Sequence, residues 1–130
     1  MSINSQELIE VSKLSPEARY NYLVKKIADF EELWTLYNEE EGYSLNVDND
    51  GNRYFIIWPF KEFADAWATG EFSVFSSKKL DIYKFRDEIL PKLTKNKLKL
   101  LVFPTPNGFG LKMEIELFSK KLNEELEQYE

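Results

Sequence analysis

Apolar side chains first recur at helical spacing just past Ser15, where Tyr20, Leu23, Val24, Ile27 and Ala28 fall on one stripe. Ser15 is placed to cap that helix, Pro16 to occupy its first turn and Glu17 to sit at the positive end of its dipole. Residues 1–14 carry few apolar side chains and predict a loosely ordered lead-in, with at most a helical turn over residues 6–11. Downstream the period shortens to two. Residues 33–37 and 43–47 read as strands joined by an acidic, glycine-ended turn, and residues 48–52 form a second turn into a third strand, 53–58. These three strands predict an antiparallel meander. In the third, Tyr54, Ile56 and Trp58 face one way and Phe55 and Ile57 the other, which marks a central strand or one covered by a partner.

Pro59 then opens a helix through Thr69 with Phe60, Phe63, Ala64 and Trp67 on one stripe and Gly70 as its stop. A short extended run covers residues 72–75. Asp81 caps a helix whose stripe of Ile82, Phe85, Ile89 and Leu93 meets Pro91, where a kink or restart is expected. Residues 98–103 predict a fourth strand, 104–108 a turn and 109–113 a fifth strand. The last helix places Ile115, Phe118, Leu122 and Leu126 on one face, with Tyr129 extending it. With no repeat or linker, residues 15–130 read as one α+β domain, an antiparallel sheet of about five strands with helices packed on it.

Composition narrows what such a domain can do. At 130 residues, 43% of them hydrophobic, the chain is long enough to bury roughly two-thirds of its unfolded surface without staples. The net charge of −6 repels nucleic acid and anionic membrane and favours a basic partner. The absence of cysteine removes disulfides and thiolate chemistry and suits a reducing cytoplasm. The N-terminus is polar and lacks the apolar stretch of a signal peptide, and the longest apolar runs are about a third of a membrane span. A soluble cytoplasmic protein is expected.

Candidate chemistry is sparse. Asn46, Asp48, Asp50 and Gly51 match the first, third, fifth and sixth places of a calcium loop, but the twelfth, which needs a bidentate glutamate, is Trp58. A tight hairpin turn explains them better. With no histidine, acid–base work would fall to carboxylates such as Glu62, Asp65 and Glu71, which are also what a solvated helix face requires. Ser76, Ser77, Lys78 and Lys79 read as an extended loop whose adjacent residues point to opposite sides, and make a poor dyad. The lysines at 92, 95, 97 and 99 lack a recognition motif for nucleic acid. Glu39 to Glu41, and Glu124, Glu125, Glu127 and Glu130, are solvated faces that a basic protein would meet. The aromatic surplus asks for more: Trp34, Trp58, Trp67, Phe60 and Phe72 exceed what one face of a sheet needs, and any left exposed near Trp58 would form an interface hot spot.

The order of these motifs resembles a family of small bacterial proteins catalogued as domain of unknown function 2750. The resemblance is carried by Arg19, Tyr20 and Leu23; Trp34, Leu36 and Tyr37; Trp58, Pro59 and Phe60; the run from Ala64 to Glu71; and Phe103, Pro104, Thr105, Pro106, Asn107 and Gly108. It spans about residues 17–126 and implies a one-domain bacterial cytoplasmic protein with no established catalytic site and no cofactor. In size and composition the chain is also similar to immunity proteins that neutralise toxins, an analogy without matching residues.

These readings combine into one expectation and one alternative. The first is a non-enzymatic module that binds a basic protein through Trp58, Phe60, Glu62 and Glu71, with Asn107 nearby if the fourth strand lies beside the third. A homodimer burying the spare aromatics is its variant. Neither metal, nucleic acid nor membrane enters this reading. The alternative is a small-molecule binding protein or carboxylate-dependent enzyme with its pocket between Trp58 and Glu71.

Overall fold

The computed structural model describes residues 4–128 of the 130-residue chain; Met1, Ser2, Ile3, Tyr129 and Glu130, and the extension of the last helix by Tyr129, lie outside the described residues. The expected loose lead-in is a helix over most of its length. In α1 (Ser5–Ser12), Asn4 Oδ1 accepts the N–H of Glu7 at 2.8 Å, and Val11 enters the core with Leu8 packed against it. Two apolar residues three apart are enough to dock two turns of helix when a polar tie assists. That tie is the Tyr22 hydroxyl, which donates to the Glu7 carboxylate. Burial first, and then this bond, push the Tyr22 phenol above its ordinary range.

Helix α2 (Pro16–Phe30) begins as its sequence predicts, with Ser15 Oγ accepting the Ala18 N–H at 3.1 Å, and buries Leu23, Val24, Ile27 and Ala28. It ends at Glu31, which turns left-handed at φ 58°. Strands β1 (Glu32–Asn38), β2 (Gly42–Tyr43), β3 (Leu45–Val47) and β4 (Arg53–Ile57) follow. The expected single sheet is instead two sheets, in the orders β2-β1-β5 and β3-β4-β6-β7. The predicted strand 43–47 divides at buried Ser44: Tyr43 pairs with Tyr37 of β1, while Leu45 pairs with Phe55 of β4. In a flat meander that middle strand would keep β1 and β4 apart. Here Trp34 and Trp58 exchange backbone hydrogen bonds of 2.9 Å in both directions, and Thr35 Oγ1 donates to the Ile56 carbonyl at 2.6 Å. The chain therefore folds over at Ser44, and the two sheets meet at the tryptophan bridge.

Helix α3 (Lys61–Trp67) buries Phe63 and Ala64 and gives way to a 3₁₀ turn, Gly70–Phe72, and residues 73–74, within the run 72–75 expected to be extended, are turn. Strand β5 (Ser76–Asp81) pairs antiparallel with β1 over six residue pairs. Asp81 accepts the N–H groups of Tyr83 and Lys84 and starts a helical segment built of α4 (Ile82–Lys84), a π turn (Phe85–Ile89) and α5 (Leu90–Lys95). The widened turn precedes Pro91, which lacks an N–H and crowds the carbonyl four residues back, so the predicted kink takes this form. Strand β6 (Lys99–Val102) lies beside β4 and parallel to it, a second departure from an all-antiparallel sheet. Parallel neighbours need a long crossover, which α3, β5 and the kinked helix supply. Strand β7 (Leu111–Met113) pairs antiparallel with β6, and α6 (Ile115–Glu127) closes the core with Ile115, Phe118, Leu122 and Leu126. Every residue of β4 from Tyr54 to Ile57 is buried, as a central strand requires. No helix among the described residues is long and apolar enough to cross a membrane.

Candidate functional site

Strands β4 and β6 run parallel, so their C-terminal ends emerge side by side and deliver two segments to one end of the fold. The first is Trp58, Pro59 and Phe60; the second is the loop 103–110. Ligand sites in sheets with parallel strands favour this end. The loop is fixed from below. Phe103 extends the ladder by donating its N–H to the Ile57 carbonyl at 2.9 Å, then turns left-handed at φ 54°, a conformation that costs a bulky residue about 1–3 kcal/mol. Burial of its ring against Phe63, with centroids 4.6 Å apart, helps to offset that strain. Trp58 Nε1 donates to the Pro104 carbonyl at 2.8 Å. Arg19, 2% exposed, donates through Nε to the Phe103 carbonyl at 3.1 Å and through its terminal nitrogens to the carbonyls of Leu14 and Phe109. Across the turn, Thr105 and Gly108 exchange backbone bonds of 3.0 and 3.2 Å. A Cβ on Gly108 would stand 2.7 Å from Thr105 Oγ1, so any other residue there would force the threonine side chain to move.

At the end of this fixed loop Phe109 stands 90% exposed. The sequence assigns it to the start of a strand, although a phenylalanine between Gly108 and Gly110 has no adjacent side chain to cover it. The expected anchors lie elsewhere. Trp58 is fully buried and Phe60 is 5% exposed, packed against Phe30 and Tyr22, so neither can meet a partner. Their apolar neighbours on both sides of the sheet junction draw them in; the corner motif is core. Glu62 is half-buried, with Oε1 lacking a hydrogen-bond partner, whereas Glu71 and Asn107 are exposed.

Two concavities join Phe109, Asn107 and Glu71 into a face, and Glu62 lines neither of them. One, of about 820 Å³, runs between the loop and the sheet and is lined by Trp67, Asn46, Asn107, Phe109 and Lys112 among others. The second, of about 460 Å³, is lined by Glu41, Asn46, Val47, Glu71 and Phe72. Asn46 borders both, and the half-buried Trp67 and Phe72 rings pack with centroids 4.6 Å apart between them. Aromatic surface near Trp58 is therefore present, carried by Trp67, Phe72 and Phe109. Among the described residues no carboxylate lines the larger groove.

The calcium-like spacing resolves into a hairpin turn. Asp48 Oδ1 accepts the N–H groups of Asp50 and Asn52, and Oδ2 accepts from Asn52 Nδ2 and the Tyr54 hydroxyl. No group of three or more acidic, histidine or cysteine side chains among the described residues could hold a metal ion.

No curated protein and no solved structure matches the chain. The tryptophan corner, the acidic end of the face and the loop all fall within residues 20–122, which match the model of the family described as protein of unknown function (DUF2750), and the chain belongs to that family.

Proposed function

We propose that this protein is a non-enzymatic recognition module that binds another, basic protein across the face running from Phe109 to Glu41 and Glu71. The observation that carries this reading is a phenylalanine 90% exposed on a loop held by Arg19 and Trp58. Covering such a ring removes about 1.5–3 kcal/mol of unfavourable apolar exposure. Because the loop is already fixed, little ordering entropy opposes binding. At the far end Glu41 and Glu71, with exposed Glu39 and Glu40 beside them, would speed the approach of a basic surface. That no described residue lining the larger groove is a carboxylate favours recognition over carboxylate-dependent catalysis there.

Affinity capture from a bacterial lysate tests the reading, with Phe109→Ala and a Glu41→Gln/Glu71→Gln double variant beside the native chain. A stoichiometric partner should bind at least about tenfold more weakly to Phe109→Ala, as loss of a central aromatic contact implies. The double variant should lose most of its salt dependence. Capture that ignores both changes sinks the proposal. If the partner is a second copy, sedimentation will show a concentration-dependent mass that Phe109→Ala abolishes.

A further inference from the structure

The opposite flank of the loop carries a different chemistry. There a groove of about 720 Å³, within the range of small-molecule sites, is bounded by Leu8 and Ile9 of α1, Phe63 and Ala66 of α3, and Phe109. Arg19 also lines this groove, at 2% exposure. A guanidinium has five N–H donors. Three of them reach the carbonyls of Leu14, Phe103 and Phe109. One N–H on each terminal nitrogen is left without an acceptor among the described residues. Carbonyls satisfy donors but cancel no charge, and no ion pair among the described residues includes Arg19.

A buried cation without a counter-charge carries a desolvation penalty of several kcal/mol. Burial pulls the Arg19 pKa downward and nearby Glu17 opposes it, yet an arginine keeps its charge. Lys13 adds a second cation to the groove, and among the described residues no aspartate or glutamate lines it, although the chain as a whole carries −6. The local sign is thus the reverse of the global one. Glycine at 108 keeps this side of the guanidinium from being crowded further, for a Cβ there would stand 3.4 Å from both terminal nitrogens.

We propose that this groove binds a small molecule with an apolar body and one carboxylate, the carboxylate taking the two unused N–H groups of Arg19 and the body lying along Leu8, Ile9, Phe63 and Ala66. A carboxylate suits the site better than a phosphate, because it accepts two parallel N–H donors from one guanidinium and brings a single negative charge to a single buried cation. The apolar walls reward a hydrocarbon body.

Octanoate is the probe, with octanol as the same chain without charge. Octanoate should raise the melting temperature and shift the amide resonances of Ile9, Ala66 and Phe109, binding at least about tenfold more tightly than octanol, the loss expected when a buried charged partner goes unmatched. Ala66→Trp, on the exposed side of α3, should fill the groove and abolish these shifts while the protein stays folded. Arg19→Lys should weaken octanoate but not octanol; because Arg19 also holds the loop, Ile9→Asp, which removes an apolar wall and places a like charge on the ligand's path, should weaken octanoate more than octanol without touching Arg19. No binding of octanoate, equal binding of octanol, or binding that survives Ala66→Trp overturns the proposal. Partner capture by the other flank should be unchanged in Ala66→Trp.

Discussion

Asp48 decides the geometry of a turn whose side-chain spacing alone suggests a metal loop. Its side chain is 16% exposed, accepts four hydrogen bonds and has Lys112 Nζ 3.6 Å away. Partial burial would raise its pKa, but bonds from Asn52, Tyr54 and Asp50 outweigh that and hold the carboxyl below its ordinary range. A carboxyl depressed in the folded state stabilises that state above its unfolded pKa, about 3.9, and the contribution is lost as pH falls through the lower folded value. Asp48→Asn should therefore melt below the native chain at pH 7, with the gap shrinking as pH drops below about 4. Thermal melts at pH 7, 4 and 2 check this, and a gap independent of pH would refute it. Phe109 and Arg19 show what single residues hide from a linear reading. Arg19 sits four residues before Leu23 and eight before Ile27, in register with the buried stripe of α2, which is the signal that marks it as interior. Trp58 and Phe60 mislead for the converse reason: aromatics in excess of one sheet face look like surface anchors until the sheet folds and buries both of its faces.

The loop 103–110 and its two supports behave as a unit. Trp58→Phe keeps an aromatic ring in the core but removes the donor to the buried Pro104 carbonyl and leaves a small void, at a cost of about 2–3 kcal/mol. The amides of Thr105 and Gly108 should then exchange faster by more than the global loss of stability explains, whereas Phe118 and Leu122 in α6 should follow the global change alone. Uniform acceleration would show that the tryptophan supports the core without fixing the loop. Elements with strong local signals were legible before the structure: the Ser15 and Asp81 caps, the stripes of α2 and α6, the break at Pro91 and the turn at 104–108. Strand β5 was not, because an edge strand needs no apolar alternation. Its lysines protect the edge, and Lys78 lies 4.1 Å from the Tyr37 ring. Nor was the division at Ser44 legible, since a strand that changes partners keeps its alternation while its pairing moves.

Although the hydrogen-bonded sheets are separate, one apolar interior serves both. Ring contacts run from Tyr37 to Tyr43 (5.2 Å), Phe55 (5.2 Å), Phe85 (5.9 Å) and Phe118 (6.1 Å), linking the β1–β2 hairpin through β4 and the π turn to α6. The three tryptophans lie apart from this series, around the bridge of Trp34 with Trp58 and the contact of Trp58 with Trp67. Fluorescence therefore reports the sheet junction, while far-ultraviolet dichroism is dominated by the helices. If the interior is one cooperative unit, the two signals should trace a single urea transition. Phe85→Ala removes a fully buried ring from the middle of the series and should cost about 3–5 kcal/mol, a large part of the 5–15 kcal/mol typical of a domain. Both transitions should move to lower urea together, even though Phe85 is in neither sheet. Dichroism that shifts while fluorescence stays would mean that the tryptophan bridge closes a second cooperative unit, and the fold would then be two cores joined by a strand that changes sheets at Ser44.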